Sequence, residues 1–132
     1  LVVTNLGGTF VAGDALHILP GTALTGAFTS FTLPPLATGL TWRTNLVNAQ
    51  GSLWVVETNP RPPAVQVFRL TNGMANLMIT GSPGYLYWVQ ISSNLVQWTN
   101  LWSTNAPTLP FTWTDGIVTN LPRRFYRAVS TP

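Results

Sequence analysis

Residues 85–91 read Tyr85-Leu86-Tyr87-Trp88-Val89-Gln90-Ile91, an unbroken run of aromatic, branched and long side chains without glycine or proline. Such a run is a β-strand signal. Successive side chains of a strand point to opposite faces, so Tyr85, Tyr87, Val89 and Ile91 share one face and Leu86, Trp88 and Gln90 the other. Both faces are largely apolar. Leu53-Trp54-Val55-Val56 has the same character. A small antiparallel sandwich normally wets one face and shows a clean alternation. Apolarity on both faces therefore calls for a cover on the second: the rest of the chain, neighbouring copies, or the remainder of a larger protein.

Outward from this strand the pattern repeats. Short stretches rich in Val, Ile, Thr and aromatics are divided by Gly, Pro and Asn, and helix signals are nearly absent. Strands are expected at 1–4, 9–12, 15–19, 27–33, 40–44 and 52–57, then at 65–70, 75–80, 85–92, 97–102, 109–114 and 123–129. Asn59-Pro60-Arg61-Pro62-Pro63 separates the two sets. Proline lacks the ladder N–H and biases its predecessor to extended geometry, so 59–63 reads as a stiff linker that hinders the second module from folding back on the first. The expectation is an all-β chain of two small modules. Residues 1–58 form the first, and 64–132 form an antiparallel sandwich.

Charge narrows the function classes. Only 7% of residues are charged, against about a quarter in an ordinary soluble domain. There is no Lys and no Cys, and His17 is the single histidine. Thiol chemistry is thereby excluded, and metal binding by the usual ligands lacks both His and clustered acids. No cofactor is expected, since no Gly-rich phosphate loop is present. The net charge of +3 reflects few acids rather than many bases, and only Arg123, Arg124 and Arg127 cluster. Nucleic acid is therefore not an expected partner. No apolar run approaches the roughly 20 residues of a membrane span. The start at Leu1, with neither Met nor a leader, reads as a mature product or a piece of a longer precursor.

Two stretches carry a resemblance. Gly26-Ala27-Phe28, Leu33-Pro34-Pro35-Leu36, Gly39-Leu40-Thr41-Trp42, Asn45-Leu46 and Gly51-Ser52-Leu53-Trp54-Val55 form the first. It resembles the segment that closes the passenger region of large bacterial surface proteins with autotransporter-associated β-strand repeats. The second runs Tyr87-Trp88-Val89-Gln90-Ile91-Ser92-Ser93-Asn94-Leu95-Val96-Gln97-Trp98-Thr99, then Phe111-Thr112-Trp113-Thr114-Asp115 and Arg124-Phe125-Tyr126-Arg127. It is similar to the immunoglobulin- or fibronectin-like module at the C-terminus of large secreted proteins of environmental bacteria. Together they span most of residues 21–128. The resemblance implies an extracellular, cell-surface setting and an immunoglobulin-like second module. It implies no activity, because such modules are appended to proteins of many kinds.

Individual residues fit the same picture. Gly26, Gly39 and Gly51 sit where turns need positive φ. Ser92-Ser93-Asn94 should bond its own backbone in a tight turn, dropping Leu95 and Trp98 onto the core. An Arg of the last strand should pair with Asp115, while alternation leaves open whether Phe125 with Val129 or Tyr126 with Ala128 points inward. Asp14 and His17 invite an acid–base reading. In a strand, however, His17 faces opposite to Leu16 and Ile18, and no nucleophile has an elbow around it, so a structural histidine is expected. Asp14, Glu57 and Asp115 lie in or beside three distant turns, a poor basis for paired-carboxylate hydrolysis.

No catalytic, metal or cofactor residue is therefore expected. The sequence points to a non-catalytic structural protein, a self-assembling subunit of a bacterial surface fibre or matrix. Its partners would be copies of itself or the rest of a larger surface protein. Leu1-Val2-Val3-Thr4 is β-prone and is the expected donated strand, with Trp88 as a second candidate interface. The alternative is a carbohydrate-binding module. Trp98 and Trp102, four apart and so on one strand face, would form a stacking platform with Trp113 for a polysaccharide. Otherwise these tryptophans belong to a core or an assembly interface.

Overall fold

The computed structural model describes residues 1–20, 25–106, 108–116 and 123–131. The fold is all-β, and the described residues build three small antiparallel sheets. In the first, β1 (Ala15–His17) and β2 (Leu40–Arg43) flank β3 (Ser52–Glu57). A single helical turn, α1 (Val47–Gln50), precedes β3. It was not expected, because four residues show no 3.6-residue periodicity and such a turn is held by its surroundings. Gly51 stops it at φ 66°, donating its N–H to Val47 O at 2.9 Å. A Cβ at Gly51 would run into the Leu19 carbonyl, so only glycine fits.

Three expected strands of the first module shrink. Residues 1–4 and 27–33 reduce to one parallel bridge between Val2 and Thr32. Residues 9–12 form no strand. There the Asp14 carboxylate accepts from Val11 N–H at 2.9 Å, which turns the chain, and Phe10 packs edge-on against Trp42 at 5.0 Å.

The second module is the expected sandwich. One sheet places β5 (Met74–Thr80) between β4 (Ala64–Thr71) and β8 (Phe111–Asp115). The other places β6 (Tyr85–Ser92) between β7 (Thr99–Ala106) and β9 (Phe125–Thr131). Asn72 and Gly73 join β4 to β5 with φ 51° and 74°, the double positive φ that closes a tight hairpin. Ala75, Leu77 and Ile79 from one sheet meet Tyr85, Tyr87 and Val89 from the other. Phe111 bridges the layers edge-on, 6.0 Å from Tyr87 and 5.7 Å from Trp102. Tyr126 and Ala128 pack against this core, which settles the alternation left open on β9.

The two modules share that core. Trp54 and Val56 of β3 belong to the same cluster as Leu77 and Tyr87. Polar contacts fix the junction. Arg43, 7% exposed, donates from Nη1 to Gly84 O at 2.6 Å, and Tyr85 OH donates to Glu57 O at 3.0 Å. Ser82 Oγ donates to a Glu57 carboxylate oxygen and accepts from Arg61 N–H at 2.7 Å. The proline stretch does not keep the modules apart as expected. A stiff connector fixes a direction, and here that direction lets the turn around Gly84 seat against Val55 and Val56.

The two-faced strands thus have different outcomes. Residues 52–56 of β3 are buried throughout, covered by the chain itself. On β6, Tyr85, Tyr87 and Val89 are buried while Leu86, Trp88 and Gln90 are only half-buried.

Candidate functional site

Leu1-Val2-Val3-Thr4 is engaged within its own chain. Val3 N–H donates to Thr32 O and Thr32 N–H donates to Leu1 O, both at 2.9 Å. The Leu1 ammonium donates to Ser30 O at 2.9 Å. Val2 and Thr4 are exposed. This segment would have to leave those partners before joining a neighbour's sheet.

The three tryptophans of the expected platform do not share a face. Trp102 and Trp113 stack at 5.8 Å and pack against the core between the two sheets. Trp98 lies over Arg127, whose side chain bonds Gln90 on the opposite, outer face of β6. The cause is a β-bulge. Val89 pairs with Trp102 but Gln90 pairs with Asn100, so Leu101 is one residue too many and the alternation reverses across it. The four-residue spacing that would place Trp98 and Trp102 together instead parts them. The adjacent apolar pair Leu101-Trp102 was the available sequence signal, since strict alternation would not place two such residues together. Trp88, by contrast, sits on the outer face, two residues before Gln90 on β6.

The turn at 92–97 forms as expected, but its side chains go elsewhere. Ser92 Oγ accepts from Asn94 and Leu95 N–H at 3.1 and 2.8 Å, and Asn94 Oδ1 accepts from Val96 and Gln97 N–H at 2.9 Å each. Leu95 takes φ 64° and is 58% exposed, so it does not reach the core.

Charged groups are dispersed among structural tasks. His17 is exposed, and its Nδ1 lies 2.9 Å from Ser52 Oγ, with Asp14 occupied at Val11. Asp115, 3% exposed, pairs with Arg124 Nε at 2.6 Å and accepts from Tyr126 OH at 2.8 Å. Burial, and then that bond to the carboxylate, push the Tyr126 phenol up to about 12. Burial also draws the Arg43 guanidinium below its usual value, partly offset by Tyr85, over whose ring it lies at 5.9 Å. Among the described residues no three His, Cys, Asp or Glu gather as a metal site would require. No helix among them is long and apolar enough to cross a membrane.

One further feature escaped the sequence. Cross-strand partners share a face, so Val67 (opposite Leu77) and Leu70 (opposite Ala75) belong to the inward side of β4. Yet they are 45% and 71% exposed, while Leu77 and Ala75 are buried. β4 is an edge strand that approaches β9, and β9 ends the opposite sheet. Among the described residues nothing beyond β9 covers this part of β4. Among the described residues this leaves a slot, with an inward apolar wall at Val67 and Leu70 and no strand paired to the outer edge of β9. Comparison with family models, with curated proteins and with solved structures found no match.

Proposed function

We propose that the chain is a non-catalytic structural module of an extracellular bacterial surface protein or matrix, joined to its neighbours by β-sheet addition. The observation that carries this reading is the exposure of Val67 and Leu70 on the inward side of β4, beside a β9 edge that no strand among the described residues pairs. An incoming strand would pair with β9 by main-chain hydrogen bonds and cover both side chains. The donor is a second copy or another part of a larger surface protein. The sparse charge suits a protein that works among others of its kind, and the sequence resemblances to surface-protein modules support the same setting. The in-chain bonds of Leu1–Val3 favour β-edge packing over release of that segment as the donor.

Sedimentation and electron microscopy of the purified chain test this. Association should appear at high micromolar concentration and disappear in the double variant Val67→Lys, Leu70→Lys, with far-ultraviolet dichroism unchanged. Those side chains are already exposed in the single chain, so the fold should tolerate the change. A native chain that stays monomeric defeats self-assembly and leaves only the larger protein as donor. A variant that associates as well as the native chain places the joint away from this slot.

A further inference from the structure

The outer face of the β7-β6-β9 sheet carries chemistry that assembly at β4 and β9 does not use. Gln90 lies between Asn100 of β7 and Arg127 of β9. Its Nε2 donates to Asn100 Oδ1 at 2.6 Å, and its Oε1 accepts from Arg127 Nε at 2.7 Å. The Arg127 guanidinium in turn sits 4.3 Å from the centroid of the Trp98 ring. Trp98 itself is tied by Nε1 to Leu95 O at 3.2 Å. Two amides thus set the plane of one guanidinium, and the guanidinium backs one indole. Asn100, Ser103 and Arg127 are exposed, so the described chain does not roof this row.

The electrostatics are one-sided. The three side-chain carboxylates are committed elsewhere: Asp14 at Val11, Glu57 at Ser82 and Arg61, and Asp115 at Arg124 and Tyr126. Arg123 is exposed, two residues before the start of β9. Among the described residues no carboxylate lies within ion-pairing distance of Arg123 or Arg127. This end of the sheet therefore presents positive charge beside an aromatic ring.

The geometry points to a platform for an acidic polysaccharide, with Arg127 receiving a uronate carboxylate and Trp98 and Trp88 taking the apolar faces of sugar rings. An arginine bonded through Nε keeps its terminal N–H groups, which are arranged to meet a carboxylate. The C–H groups of a pyranose face carry slight positive charge and match the electron-rich face of an indole. Gln90, Asn100 and Ser103 offer donors and acceptors to sugar hydroxyls. Side chains stand roughly upright on a sheet, and Trp88 precedes Gln90 by about 7 Å along the strand, so the row extends as a track rather than a pit. A polyphosphate chain is a poorer fit. Two uncompensated cations fall well short of the six to ten phosphate contacts typical of charge-driven nucleic-acid binding.

Affinity electrophoresis and calorimetry with polygalacturonate and alginate, against neutral xylan and single-stranded DNA, decide the matter. The native chain should bind a uronate polymer and neither of the other two. Arg127→Gln should weaken that binding by roughly tenfold or more, the usual loss for one charge-assisted contact. Trp98→Ala should weaken it similarly, with melting temperature nearly unchanged. Arg69→Gln, which removes the same charge from the other sheet, should bind as the native chain does. Absence of uronate binding overturns the proposal. So does equal loss in Arg69→Gln, or equal affinity for DNA, since either reduces the effect to net charge. Because Val67 and Leu70 lie on β4, in the other sheet from Arg127, the Val67→Lys, Leu70→Lys variant should retain binding.

Discussion

Replacing Tyr87 by Phe isolates one buried hydroxyl. Tyr87 is 1% exposed and Ser82 fully buried. The phenol donates to Ser82 O at 2.8 Å and accepts from Ser82 N–H at 2.9 Å, so a single oxygen satisfies both main-chain groups of one residue. Phe retains the ring and its edge-on contact with Phe111 at 6.0 Å, leaving packing largely intact. What is lost is the partner of a buried N–H and of a buried C=O. Each such group costs about 1–3 kcal/mol when left unpaired, so the variant should lose about 3 kcal/mol after modest relaxation. Unfolding entropy near 2.1 cal/mol/K per residue converts this, over 132 residues, to a melting temperature lower by about 10 °C. Urea titration followed by tryptophan fluorescence reads the change in midpoint, and an unchanged slope shows that the two-state comparison holds. A loss below about 1 kcal/mol refutes the reasoning. It would mean that Ser82 finds other partners, and that the turn after β5 does not depend on this hydroxyl.

Two further outcomes follow from the same structure. Trp102→Ala should cost about 3 kcal/mol or more, as for a large aromatic packed between two sheets, whereas Trp98→Ala should cost less than about 1 kcal/mol; equal losses in chemical denaturation would mean that Leu101 does not divide the two faces. The chain's three tyrosines, Tyr85, Tyr87 and Tyr126, all have phenol pKa values raised above 10, chiefly by burial, with Tyr126 at about 12. The folded state then holds protons that the unfolded state releases. Their stabilising effect is therefore complete below pH 10 and lost as pH climbs through the folded values. Absorbance at alkaline pH should show delayed phenolate formation that coincides with unfolding, and a simple titration centred at pH 10 in a still-folded chain would contradict it.

The sequence revealed the elements better than their relations. Tyr85–Ser92 and Ser52–Glu57 were legible because long apolar runs leave no alternative to a strand. The pairing of Asp115 with an Arg of the last strand was legible because the chain has so few charges to match. Leu1–Thr4 and residues 27–33 look like strands by composition, but glycines and prolines nearby leave them room for only one bridge. The division of Trp98 from Trp102 depends on a bulge, and a bulge is set by the register of a partner strand that is distant in sequence. The slot beneath Val67 and Leu70 was equally hidden. Their pattern reads as buried, and only the number of strands in the opposite sheet shows that they are not.

The shared core has a consequence for how this chain is inherited. A recombination event in the proline stretch at 59–63 would fall where few side chains are buried, and by composition alone it looks harmless. Yet it would separate Trp54 and Val56 from Tyr85 and Tyr87, and Arg43 from the carbonyl of Gly84. Each half would then present a bare apolar wall and an orphaned polar group. Gene fusions that keep residues 13–131 in one cassette should therefore persist, while exchanges that swap one half for an unrelated partner should be lost.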